Sequence, residues 1–142
     1  MKKGIDFIGV GVGGVIINNK KEILLFLRNK SPEKNYWTIP GGSVEFGEKI
    51  EDAILREVYE EVGVSCEIIK FLGVKNHILP LEKTHWIACS FLLKIKEGIP
   101  NNMEPQSHSK MQWFDINNLP ENTTLTTHAA LNYLRGVGRD IK

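Results

Sequence analysis

Three glutamates crowd the stretch REVYEE, Arg56 to Glu61: Glu57, Glu60 and Glu61. On a helix Glu57 and Glu61 stand one turn apart, where like charges repel. A wheel advancing about 100° per residue puts Ile50, Ala53, Ile54 and Val58 on one apolar arc, with Val62 at its edge. Glu57 and Glu61 project into that arc and Glu60 borders it, while Arg56 and Tyr59 fall on the far side. An ionised carboxylate buried without a partner costs several kcal/mol. Arg56 is the nearest cation, but on the wheel it points elsewhere. A divalent ion held among the acids is the cheaper resolution. Oxygen ligands suit such an ion, and no Cys/His cluster nearby argues for zinc. The bland alternative is a solvated helix edge, because glutamate is a good helix former.

Gly41-Gly42 precedes this helix by a short loop, SVEFG. Consecutive glycines let the backbone approach a ligand closely, although such a pair is also a plain tight turn. Glu45 and Glu48 add carboxylates in the loop and the first turn. Both have a simpler reading, since acids are favoured at a helix N-terminus by its macrodipole.

The elements that must hold these residues fit one domain of 142 residues, enough for a compact core. A charged fraction of 25% and a formal net charge of +1 leave no bulk field to hold a nucleic-acid polymer or an acidic membrane. No apolar run is long enough to span a bilayer. The N-terminal MKKGIDFIGVGVGG is broken early by Asp6 and glycines, so it reads as a strand and not a signal peptide. Cys66 and Cys89 sit in apolar, strand-like surroundings and read as free buried thiols of a cytoplasmic protein.

Residues 5–17 read as one long strand or two short ones, and EILLFLRN from Glu22 as the next, joined by the turn Asn18–Lys21 in a hairpin. A short extended YWTIP leads to the glycine pair. A helix is predicted from Glu48 to Val62, with Gly63 in the left-handed position behind it. IIKFLGVKN, HWIACSFLLKIK and QWFDI read as strands, and residues 124–134 as a final helix. Strands interrupted by two separated helices predict an α/β fold with helices packed on a mixed sheet.

Gly42 to Val64, GSVEFGEKIEDAILREVYEEVGV, matches every defined position of the pattern G-x5-E-x7-R-E-U-x-E-E-x-G-U, where U is apolar. This stretch resembles the signature box of Nudix hydrolases, and WTIPGG resembles the usual lead-in. The segment EKTHWIACSF and the run MEPQSHSKMQWF look like the branch that cleaves nucleoside triphosphates, so the resemblance extends over nearly the whole chain. It implies an α/β/α sandwich around a mixed sheet and hydrolysis of a nucleoside diphosphate linked to another group. It also implies Mg²⁺ or Mn²⁺ held by Glu57, Glu61 and Glu60, with the backbone carbonyl of Gly41 as a further ligand.

Arg56 is expected to orient the box glutamates by pairing with one of them, and Glu48 to support the loop or an outer metal. Glu57, Glu60 and Glu104, the last in MEPQ, are the candidates for accepting a proton from the attacking water. Glu104 is expected on a mobile loop that completes the site when substrate binds. Ser107 stands where a lysine is common in that branch. Arg28 is a candidate phosphate ligand or a solvated strand end. Tyr36, Trp86 and Trp113 are candidates for stacking on a base, or core aromatics, and His85 for contacting the nucleotide. His77, His108 and His128 carry no pattern.

The leading expectation is conversion of a nucleoside triphosphate to a monophosphate and pyrophosphate. The alternative is an ADP-ribose pyrophosphatase, which a proline at Pro80 would suit. A nucleotide-sensing regulatory domain is the reading outside enzymes. Many members of the family are dimers, so a homodimer is a further expectation, with no exposed apolar patch legible to support it.

Overall fold

The computed structural model describes residues 1–136. Seven strands and two helices follow in the order β1 (Gly9–Ile16), β2 (Glu22–Arg28), β3 (Trp37–Thr38), β4 (Gly41–Ser43), α1 (Ile50–Val62), β5 (Ser65–Leu79), β6 (Thr84–Glu97), β7 (His108–Asp115) and α2 (Leu125–Leu134). One sheet has the order β4-β1-β6-β5 and the other β3-β2-β7. β1 and β6 run parallel, and the other paired strands are antiparallel. The sheet is therefore mixed, as the sequence predicts.

Alternation along β1 and β2 divides the interior in two, because successive side chains leave a strand on opposite faces. Val12 and Ile16 of β1 join Leu24 and Phe26 of β2 under Ala53, Ile54, Val58 and Val62 of α1. Val15 joins Ile23 and Leu25 under Ala130 and Leu131 of α2. The helices thus cover opposite faces, giving the α/β/α layering. Cys66 and Cys89 are free and buried. None of the helices among the described residues is long and apolar enough to cross a membrane.

Three local expectations change. The first strand begins at Gly9, because residues 3–7 fold back in a turn closed by a bridge between Lys3 and Phe7. Asn18–Lys21 do turn the chain, with Asn18 Oδ1 accepting from the Lys20 and Glu22 amides. The flanking strands nevertheless belong to different sheets and share only the bridge from Ile17 to Ile23. Both strands are buried on two faces, so each takes its partners from elsewhere in the chain, a choice that local turn chemistry does not encode. Finally α1 starts at Ile50 and not at Glu48, whose carboxylate is drawn into the loop ahead of the helix. Its C-terminus is as expected: Gly63 has φ 76° and donates its N–H to the Tyr59 carbonyl.

Ile54 is fully buried where α1 meets the sheet. Replacing it with alanine leaves a cavity there and is expected to lower stability by about 2–5 kcal/mol, measured by urea unfolding. A loss below about 1 kcal/mol would place the α1 contact outside the cooperative core.

Candidate functional site

The last two turns of α1 face β4, and this packing sets the site. Glu61 is only 7% exposed, and its Oε1 accepts the Gly41 N–H at 2.8 Å. Glu57 lies against Gly42, where a Cβ would overlap its carboxylate. The glycine pair thus serves the acids in two ways, one amide as donor and one missing side chain as space. Glu60 remains outside, its side chain 48% exposed. The order of burial is that of the wheel.

Arg56 departs from its wheel position. Its Cα is off the acidic arc, but its long side chain reaches back over the helix start. Nη1 lies 3.2 Å from Glu57 Oε2 and 3.1 Å from Glu60 Oε1. Nε and Nη2 grip Glu48 at 2.8 and 3.0 Å, and Nη2 also donates to the Ser43 carbonyl. The guanidinium holds the Glu48 carboxyl down at about 2, helped by the bond from the Glu45 amide. A fork of five donors suits this convergence of carboxylates. Glu48 is consumed in ordering the loop.

Glu104 reaches the site through the chain beyond β6. The carbonyls left open at the end of α1 are taken by that segment: Asn101 N–H bonds the Val62 carbonyl and Met103 N–H the Glu61 carbonyl. Asn102 Oδ1 accepts the Glu104 amide, and its Nδ2 donates to the His108 carbonyl at 2.8 Å. The His108 N–H in turn bonds the Glu104 carbonyl. These bonds tie the segment to the end of the helix. Glu61, Glu104 and His108 thereby offer ligand atoms within 4.8 Å of one another.

Beside this cluster opens a cavity of about 430 Å³, lined among others by Arg28, Glu33, His77, Trp86, Thr124 and Thr126. Its floor is the face of β1 and β6 that carries Gly11, Gly13, Ala88 and Ser90. Small side chains there leave the space open. Arg28 donates from Nε to the Pro32 carbonyl at 2.7 Å. Burial lowers the Arg28 pKa, against the pull of Glu33 and Glu61. Glu33 lies 3.3 Å from His77 Nε2 and accepts the Leu125 amide at the start of α2. Burial pushes its carboxyl up, but the bonds from His77 and Leu125 outweigh this and leave it lowered.

Three expected nucleotide-binding residues are not brought to this cavity. His85 precedes Trp86 in β6, so strand alternation turns it to the opposite face, into a recess with Gly4 and Pro80. Trp113 packs on the core under α1 and borders a separate recess. Tyr36 is 42% exposed and lines none of these spaces. Arg28 and Gly41 do line the cavity, though it is the amide of Gly41, not its carbonyl, that engages Glu61. Glu33, His77 and His108 were not singled out by the sequence. A period-two run of small residues, Gly9, Gly11, Gly13 and Ala88, Ser90, was the legible sign that this sheet face is hollow.

A profile of the NUDIX domain matches residues 8–133. The chain belongs to the NUDIX family. It is 35% identical over 113 residues to an ADP-ribose pyrophosphatase of Methanocaldococcus jannaschii, covering 79% of this chain but 64% of that protein. It is 35% identical over 128 residues to an RNA pyrophosphohydrolase of Orientia tsutsugamushi, covering 80% and 78%. The crystal structure of a MutT NUDIX hydrolase from Burkholderia pseudomallei superposes with a TM-score of 0.86 at 35% identity, covering 91% of this chain and 99% of that one. These relatives are named as hydrolases, two of them for pyrophosphate bonds.

Burial raises the Glu61 pKa to about 8, against the pull of the Gly41 amide, and Glu57 and Glu104 add repulsion. Between 4.5 and about 8 the folded chain therefore holds a proton that the unfolded chain has released, so stability falls as pH rises through that window. Glu57, raised by burial against Arg56, acts in the same direction. His108, lowered by burial from 6.5 to about 4, acts oppositely, but only below 6.5. The chelator-treated protein is expected to lose thermal stability from pH 6.5 to 8, and Glu61→Gln to flatten that slope. An unchanged slope in the variant would remove Glu61 as its source.

Proposed function

We propose that this chain is a divalent-metal-dependent pyrophosphohydrolase acting on a nucleoside diphosphate linked to another group. A nucleoside triphosphate is the first substrate, giving monophosphate and pyrophosphate. The observation that carries this reading is the carboxylate cluster of Glu61 and Glu104 beside a cavity that also presents Arg28 and Trp86.

The residues fit a divalent ion. Glu61 is buried, repelled by its acidic neighbours and raised in pKa, a condition that a cation relieves. Glu61 and Glu104 would hold Mg²⁺ or Mn²⁺, with Glu57 and Glu60 adjoining along the helix. Such an ion neutralises the pyrophosphate charge and lowers the pKa of water. Glu57 is assigned as the proton acceptor. Burial raises its basicity and Arg56 fixes its orientation, and it abuts Gly42 on the cavity wall. Glu60, its side chain 48% exposed, is less suited. Arg28 is assigned to phosphate oxygens. Trp86 offers a ring on which a base can stack.

A second reading, hydrolysis of ADP-ribose, is favoured by the name of the archaeal relative. Pro80 does not support it, because Pro80 lies in the β5–β6 turn and borders the recess away from the cavity. A purely regulatory domain is disfavoured by the presence of every box glutamate.

A panel of nucleotides with Mg²⁺ or Mn²⁺, resolved by chromatography, separates the readings. Pyrophosphate and a monophosphate are expected. AMP and ribose phosphate from ADP-ribose as the dominant products would select the second reading, and no turnover of any nucleotide would overturn both.

Glu61→Gln is expected to abolish turnover and weaken Mn²⁺ binding while the fold persists. Glu57→Gln is expected to lower kcat about 10²–10⁴-fold with a smaller change in Mn²⁺ affinity. Equal losses of affinity in the two variants would make Glu57 a ligand and not the base.

A further inference from the structure

We propose that His108 supplies a ring nitrogen to the metal held by Glu61 and Glu104, making the site a mixed nitrogen–oxygen centre and not an all-oxygen one. The proposal rests on the reading of a metal site above. It starts from a buried imidazole that the fold does not satisfy. His108 is 7% exposed. Its Nδ1 is buried without a hydrogen-bond partner. Its Nε2 lies 3.9 Å from Glu61 Oε2, beyond hydrogen-bond range. Nε2, the nitrogen that faces the carboxylates, thus makes no direct hydrogen bond to Glu61 and is placed to take another partner.

The spacing is close to that of ligands sharing one ion. Two atoms each about 2.1 Å from a metal stand about 3–4 Å apart, and the three donors from Glu61, Glu104 and His108 fall within 4.8 Å of one another.

The ring is also held in place. It stacks on Phe26 with centroids 4.2 Å apart and planes 18° from parallel. Its own backbone is tied to Glu104 and to Asn102. A direct hydrogen bond to Glu61 would need Nε2 about 1 Å closer.

The chemical consequence is metal preference. Mg²⁺ takes oxygen ligands and keeps several waters, whereas imidazole favours later first-row metals. The site is therefore expected to prefer Mn²⁺ to Mg²⁺, and to lose that preference with the imidazole.

The test uses the full chain and Mn²⁺ alone. Electron spin-echo modulation of bound Mn²⁺ is expected to show a directly coordinated ¹⁴N, replaced by the ¹⁵N pattern when histidine is isotopically labelled and lost in His108→Asn. The same variant is expected to bind Mn²⁺ at least about tenfold more weakly, with a smaller change for Mg²⁺. Bound Mn²⁺ without nitrogen modulation overturns this proposal and leaves the metal site standing. So does modulation that persists in His108→Asn. Failure of the wild-type chain to bind Mn²⁺ overturns the metal site itself. If His108→Asn does not fold, the labelled wild-type spectrum decides whether histidine is a ligand, and His108→Gln repeats the assignment.

Discussion

One bond organises the site: the Gly41 N–H to the buried carboxylate of Glu61 at 2.8 Å. It joins the last turn of α1 to β4, an edge strand of only three residues. A buried carboxylate needs donors or a counter-charge. A single amide supplies one donor and leaves the rest of the group unsatisfied. The fold therefore sets an acid in a position that it does not fully compensate. That deficit is one that a bound cation would offset. The apolar contacts of Ile54, Val58 and Val62 hold the helix there, so hydrophobic burial offsets the electrostatic cost at Glu61.

Around that bond, each approach to the site is pinned separately. Arg56 gathers Glu48, Glu57, Glu60 and the Ser43 carbonyl, which fixes the loop from β4 into α1. The segment at 101–108 closes the far end of the helix by bonding its open carbonyls, and so delivers Glu104 and His108 together. The start of α2 is held by different groups. Ile39 N–H bonds Thr127 Oγ1, and the Trp37 and Thr124 amides bond backbone carbonyls of the facing segments. Three elements distant in sequence thus converge without any one of them spanning the site. Preorganisation of this kind is what positioned charges need to act on a transition state.

The helix and its acids were legible because their signals are local. The 3.6-residue period set Glu57 and Glu61 inside the apolar arc and Glu60 at its border before any tertiary contact was known, and the spacing from Gly42 to Gly63 tied them to a family. Arg56 shows the limit of the wheel, which places Cα atoms and not the ends of long side chains. The β1–β2 hairpin failed for a related reason. A good turn between two apolar strands does not say which sheet each one joins. His108 and His77 were invisible because their meaning comes from neighbours remote in the chain, Glu61 for one and Glu33 for the other. Alternation could have shown that His85 and Trp86 do not share one face of the strand, but only the fold says which of them meets the cavity.

The cavity itself follows from a contrast between the two faces of β1. On the α1 side Val12 and Ile16 fill the space, and even Gly14 is closed over by Ile54 and Leu93. On the other side Gly9, Gly11 and Gly13 present no side chain, and Ala88 and Ser90 of the parallel partner add little. Ile39 closes over Gly13, and Trp86 fills part of the remaining gap, its ring lying where Cβ atoms at Gly4 and Gly9 would sit. The indole is therefore supported from beneath by backbone and lines the open space. A ring backed in this way keeps its plane without being stacked from both sides. Such an arrangement suits a planar ligand, and it places the aromatic surface and Glu61 on walls of one cavity. A nucleotide has the same division, an aromatic base joined to charged phosphates. Under the proposed function, the glycines of β1 complement the acids of α1 by leaving room for the part of the substrate that the acids do not touch.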